Sequence, residues 1–378
     1  MFKNRWFVLF ALLLSIGLVL GACGASDDDA GNEEDSTGGD SSENTEEETS
    51  EENASGDFSV AMVTDVGGVD DKSFNQSAWE GLQAFGEENG MSKGEGYDYA
   101  QSESDADYVT NINRLVRQDY NLIYGIGYLL QPAIEEVASQ YPDTNFGIVD
   151  SVAEGDNIAS ITFKEHQGSF LAGVAAAKKT ESNMVGFVGG VDGALINKFE
   201  AGFVAGVKSV NADIEVDVQY AESFAAADKG KLIASNMYDK GVDVIYHASG
   251  ATGNGVFAQA KDIKNNDPEA NVWVIGVDRD QYEEGAVGDT NVTLTSMVKR
   301  VDIAVQDVAT QAMNGEFPGG EVLEYGLSDD GVSIARTNEE AMTEEIITAI
   351  EEWKEKITNG DVEVPSTRED LETYVNSL

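Results

Sequence analysis

From residue 58 onward the chain alternates short apolar runs with longer amphipathic ones, and that alternation leaves few architectures open. Strand-like runs occupy 58–63, 122–125, 145–149, 158–163, 184–188, 215–220, 242–246, 272–277 and 293–296. Helical stretches lie between them at 73–88, 131–140, 169–178, 197–210, 226–240, 255–264 and 299–313, with another at 339–357. Strands joined through helices pair in parallel, and the helices cover the sheet faces. About ten strands overfill one comfortable open sheet, so two α/β lobes are predicted. A weak internal echo agrees. A strand, a Gly-Gly loop and a helix containing a phenylalanine and then a glycine occur near Phe74 and Gly81, and again near Phe199 and Gly206.

The first 57 residues read differently. Lys3 and Arg5 precede a nearly unbroken apolar run over 6–20, too short for a spanning helix and suited to a signal peptide. Leu20-Gly21-Ala22 then leads to Cys23, the single cysteine, in a pattern similar to the bacterial lipobox. That likeness implies cleavage after residue 22 and acylation of Cys23, which makes the expected location the extracytoplasmic face of the cell membrane, held by lipid. Residues 23–57 then form an acidic, apolar-poor tether, expected to be disordered and extended by its own charge.

The charge narrows the partners. The whole chain carries a formal −47, and residues 58–378 alone keep 56 acids against 21 bases. Such a surface disfavours nucleic acid, whose binding rests on Lys and Arg meeting phosphates, and weighs against free nucleotides. One cysteine and two histidines, His166 and His247, allow neither an internal disulfide nor a Cys/His zinc cluster. No EF-hand-like loop occurs, no cofactor is called for, and neither histidine has a nucleophile at a recognised spacing, so an enzyme is not expected. The stretch from Gly250 to Gly255 resembles a phosphate loop but lacks the Lys-Ser/Thr of one.

In open α/β sheets ligands bind beyond the carboxyl ends of the strands. Those ends carry Asp65, then Phe74 and Asn75 at the start of the next helix; Asp150; Phe224; Gly250; and Asp278. Carboxylates accept hydrogen bonds from hydroxyl and N–H groups, phenylalanines stack on rings, and glycines admit close backbone approach. The set suits a flat, neutral, hydroxyl-bearing ligand. An aspartate after a strand is also a common turn or cap residue, and Phe199 reads equally as core.

The run Met62-Val63-Thr64-Asp65-Val66-Gly67-Gly68-Val69-Asp70-Asp71-Lys72-Ser73-Phe74-Asn75, continuing to Gly81, resembles the opening signature of the basic membrane protein (BMP) family. These are ABC-transporter substrate-binding lipoproteins similar to the purine nucleoside receptor PnrA. Further matches are Gly168 to Gly173, Phe187 to Gly190, Lys198 to Gly202, Gly250 to Val256, Val274 to Gln281 and Leu294 to Arg300. The resemblance implies a type I periplasmic-binding fold, with two Rossmann-like lobes and a three-crossing hinge. The expected division is 58–163 plus about 281–318 for the first lobe, and 164–280 plus about 319–378 for the second. It implies that Asp65 and Asp278 hold polar atoms of a purine nucleoside, that Phe74 stacks on the base, and that Lys299 completes the polar shell. Asp150 and Gly250 carry over less directly, and the second stacking ring is Phe199 or Phe224. The implied partners are a permease with a cytoplasmic ATPase. A sugar or other small solute in the same fold, or an adhesin-type surface lipoprotein, remains open.

Overall fold

The computed structural model describes residues 58–378, so the signal, Cys23 and the tether lie outside the described residues. In chain order the elements are β1 (Val60–Val63), α1 (Phe74–Glu88), β2 (Tyr97–Ala100), α2 (Tyr108–Val116), β3 (Leu122–Ile126), α3 (Gln131–Gln140), β4 (Asn145–Val149) and β5 (Ile158–Phe163). Then follow α4 (Glu165–Lys179), β6 (Met184–Gly189), α5 (Ala194–Val210), β7 (Glu215–Tyr220), α6 (Ala227–Asp239), β8 (Val244–Ala248), α7 (Gly253–Asn266) and β9 (Trp273–Asp278). A small hairpin of β10 (Ala286–Val287) and β11 (Thr290–Asn291) leads to β12 (Thr293–Lys299), α8 (Val301–Met313), β13 (Val322–Tyr325), β14 (Val332–Ile334), α9 (Glu344–Thr358) and α10 (Arg368–Val375).

Two six-stranded sheets result, ordered β13-β5-β4-β3-β1-β2 and β14-β12-β9-β8-β6-β7. All ladders within them are parallel except β12 with β14. Central strands such as β1, β3 and β8 are buried at every residue, as a parallel sheet covered on both faces requires. This is the two-lobed type I periplasmic-binding architecture.

Two of the three lobe boundaries fall later than expected. β12 pairs with β9 in the second sheet, and β13 pairs with β5 in the first. Residues up to Lys299 therefore belong with the second lobe, and 301–325 with the first. The cause is pairing: β12 joins the second sheet beside β9, so the crossing expected near residue 281 comes only after Lys299. The chain crosses between lobes at Lys164, at Arg300 and within 326–331. The crossings lie side by side, with Lys164 N donating to Tyr325 O at 2.7 Å and Arg300 N to Gly331 O at 2.9 Å.

The internal echo is real in the sheet order but displaced by one helical turn in α5. A Cβ on Gly81 would lie 2.2 Å from the Asp302 carbonyl oxygen, and one on Gly202 would lie 2.1 Å from that of His166. Asp302 and His166 each stand two residues after the cap that follows β12 or β5. Gly202, rather than Gly206, is thus the counterpart of Gly81. Both glycines let a helix backbone approach closer than any side chain permits.

Candidate functional site

The carboxyl ends of both sheets face each other across one cavity enclosing about 540 Å³ including its mouth. Its wall includes all nine residues singled out from the sequence: Asp65, Phe74, Asn75, Asp150, Phe199, Phe224, Gly250, Asp278 and Lys299. It also includes Asp71, Tyr128 and Leu129 from the first lobe, and Leu195, Ile196 and Ser249 from the second. Tyr128 and Leu129 follow β3, so the strand-end rule would have found them had it been applied there.

Asp150 and Asp278 occupy equivalent places, at the ends of β4 and β9, and both adopt a left-handed backbone with φ 66°. Aspartate tolerates this region better than most residues. Lys299, at the end of β12 and 2% exposed, lies between them. Its Nζ is 2.6 Å from Asp150 Oδ2 and 3.6 Å from Asp278 Oδ1. Burial pulls its pKa down, but Asp150, Asp278 and the nearby Glu165 hold it well above the usual lysine value. The ammonium also sits 4.7 Å from the Phe74 ring centroid and 5.5 Å from that of Phe199.

Asp65 accepts Gly67 N at 2.8 Å and Asn75 Nδ2 at 2.7 Å, both through Oδ1. Burial raises its pKa, against the pull of those two donors. Asp278 is raised by burial too, opposed by Lys299 and by the Ser73 hydroxyl, which donates to it at 2.6 Å. Three acceptors at the cavity wall are therefore conspicuous. Asn75 Oδ1 and Asp150 Oδ1 are buried without a hydrogen-bond partner in the protein, and Asp65 Oδ2 borders the wall beside Gly127. A ligand that donates hydrogen bonds would satisfy them.

The aromatic residues come from both lobes. Phe74 and Phe199 lie deep, beside Lys299. Phe224 meets Tyr128 edge-on across the cleft, with centroids 6.3 Å apart and planes at 80°. Phe199 and Phe224 both reach the cavity, so geometry keeps both as stacking candidates.

The lobes are closed on one another. The segment from Asp71 to Ser73 is gripped by the second lobe: Asn254 Nδ2 donates to Asp71 O at 3.1 Å, Gln281 Nε2 to Lys72 O at 2.9 Å, and Ser73 Oγ to Asp278. Outside the cavity, Arg279 makes a two-pronged pair with Glu80 at 2.7 and 2.8 Å. His247 is fully buried, is pushed down to about 4 by that burial, and pairs with Gln281 at 3.0 Å through Nε2 and with the Ser249 hydroxyl at 3.4 Å through Nδ1. Among the described residues no cluster of three or more metal-ligating side chains occurs, and no helix is long and apolar enough to cross a membrane.

Comparison with known proteins adds the lineage. The model of a family described as ABC transporter substrate-binding protein PnrA-like matches residues 58–368. A Listeria monocytogenes protein named CD4+ T-cell-stimulating antigen is 55% identical over 371 residues, covering 96% of this chain and 99% of the relative. The Lactococcus lactis protein named ABC transporter nucleoside-binding protein BmpA is 47% identical over 317 residues, covering 82% of this chain and 90% of the relative. A solved solute-binding protein of an Aeropyrum pernix ABC transporter system superimposes with TM-score 0.71 at 26% identity, covering 84% of this chain and 96% of that one. A signature at the first strand tip, two equivalent lobes and these matches converge: the chain belongs to the PnrA-like BMP family of ABC transporter substrate-binding proteins.

Proposed function

We propose that the chain is the lipid-anchored, extracytoplasmic receptor of an ABC importer and that it carries a purine nucleoside in the interlobe cavity. The observation that carries this reading is the pairing of aromatic rings from both lobes with a surplus of hydrogen-bond acceptors around one neutralised lysine. Phe74 stacks on the base, with Phe199 or Phe224 on its other face. Asp65, Asn75, Asp150 and Asp278 accept from ribose hydroxyls and base N–H groups, Lys299 keeps the carboxylates oriented, and Gly250 lets the backbone close in. The acidic lining repels phosphate, which favours nucleosides over nucleotides. The relative named for nucleoside binding supports the same class.

A ligand touching both lobes stabilises the closed state by its differential affinity. The closed form docks on a permease driven by a cytoplasmic ATPase, and acylated Cys23 keeps the receptor at the membrane. The protein acts by binding and release, without catalysis. Calorimetry with inosine, guanosine and adenosine, with D-arabinose as control, tests the substrate class. Micromolar or tighter binding of a purine nucleoside is expected, and no response to any of the three would refute it. Phe74→Ala should weaken binding by roughly 1–3 kcal/mol. Incorporation of labelled palmitate, lost in Cys23→Ser, tests the anchor.

A further inference from the structure

Asp71 belongs to the loop before α1 and is 2% exposed. Four donors converge on its carboxylate. Ser73 N and Gln76 N reach Oδ1 at 2.9 and 3.1 Å, while Asn75 N and Asn75 Nδ2 reach Oδ2 at 3.0 and 3.1 Å. The other hydrogen of Asn75 Nδ2 goes to Asp65 Oδ1 at 2.7 Å. The Asn75 carboxamide is thus held between two carboxylates, both acceptors. Flipping it would set its oxygen against two carboxylate oxygens, so its orientation is fixed by chemistry. Its remaining polar atom, Oδ1, is buried without a partner in the protein, and Asn75 is part of the cavity wall.

We propose that Asp71 is a positioning residue that locks the Asn75 amide so that its oxygen is an obligate acceptor, which the ligand must meet with a hydrogen-bond donor. This rests on the nucleoside reading for its choice of probes, but the lock itself does not. Asp65, Asp71 and Asn75 all belong to the first lobe, so the arrangement exists before the lobes close. Only an acceptor-only group fits at position 71. An asparagine there turns its own NH₂ either toward the Ser73 and Gln76 amides, which costs two caps, or toward Asn75 N and Nδ2, and the second orientation loosens the Asn75 amide. A rotated amide can accept or donate, and the site then loses its preference for a donor at that point.

The test uses the full chain and Asp71→Asn. With selective ¹⁵N labelling of asparagine, the Asn75 side-chain NH₂ should exchange slowly with solvent in the parent and rapidly in the variant. Inosine is then compared with analogues that each lack one donor: purine riboside, and the 2′-, 3′- and 5′-deoxy inosines. In the parent, one analogue should bind about ten- to hundredfold more weakly than inosine, because a buried acceptor is left unmet. In Asp71→Asn that same penalty should fall to within about threefold, while the penalties of the other analogues stay. An unprotected NH₂ in the parent, a protected one in the variant, or an analogue profile that does not change would overturn the proposal. A uniform weakening of all analogues would reduce Asp71 to a helix cap and overturn it as well. If Asp71→Asn does not fold, Asn75→Ala carries the test, and the same analogue must lose its penalty. If no nucleoside binds the parent, the nucleoside reading fails, and the exchange of the Asn75 amide alone decides the lock.

Discussion

The two lobes share a strand order but contribute opposite things to the cleft. The first lobe supplies Asp65, Asp71 and Asp150, carboxylates without a cation of their own in the cavity wall. The second supplies the single lysine, Lys299, together with Phe199, Phe224 and one aspartate, Asp278. The scaffolds are alike down to the glycine contacts of Gly81 and Gly202, and to the left-handed backbone of Asp150 and Asp278. One backbone design therefore serves two chemistries, and the difference lies in side chains at the strand tips. Charge neutralisation is completed only when the lobes meet, since Lys299 leaves its own sheet to pair with Asp150 of the other.

The largest way to break that arrangement is Lys299→Met. It leaves Asp150 and Asp278 buried without their shared cation, and should lower stability by about 3–5 kcal/mol, read by urea denaturation. Adding Asp150→Asn should recover part of the loss, since one fewer charge is then stranded.

Next come the equivalent glycines. Gly81→Ala and Gly202→Ala each push a methyl group into a carbonyl oxygen, and each should cost roughly 1–3 kcal/mol. Gly202 should be the more sensitive, because Gly173 and Gly206 make the α4–α5 contact close along its length. Equal midpoints for variant and parent at either site would break the correspondence between the lobes.

At the point where the first lobe has Asp302, the second has His166. Burial pushes this histidine down to about 4 from 6.5. Between those values the unfolded chain takes up a proton that the native state refuses. Its contribution is thus whole above pH 6.5 and is lost as pH falls toward about 4. His166→Gln should lose about 2 kcal/mol less stability than the parent between about pH 7 and about pH 5, measured by urea unfolding.

The smallest effect belongs to the partly exposed Arg279–Glu80 pair that spans the lobes outside the cavity. Arg279→Ala should reduce ligand affinity by about 0.2–1 kcal/mol, and calorimetry in high salt should abolish the difference.

Much of the scaffold was legible because buried parallel strands are continuous apolar runs. The elements that were not foreseen are the half-exposed ones. β2, Tyr-Asp-Tyr-Ala, and β13, with Val322 facing solvent, are edge strands whose alternation is too short to register. Lys299 was invisible to periodicity because a lysine normally marks solvent, and here a strand end buries it between aspartates; the family signature alone flagged it. Asp71 stood within the quoted signature, but its role is a convergence of four donors that no spacing reveals.

The interleaved path through the hinge also sets an order of assembly. Synthesis proceeds from the amino end, yet the opening lobe lacks its α8 cover and its β13 edge until residues 301–325 emerge, after five strands of its companion have been made. Neither half is a self-contained length of polypeptide. The companion sheet is nearly whole before the earlier one can be finished, so maturation of the pair is a joint event near the end of synthesis rather than a sequential one.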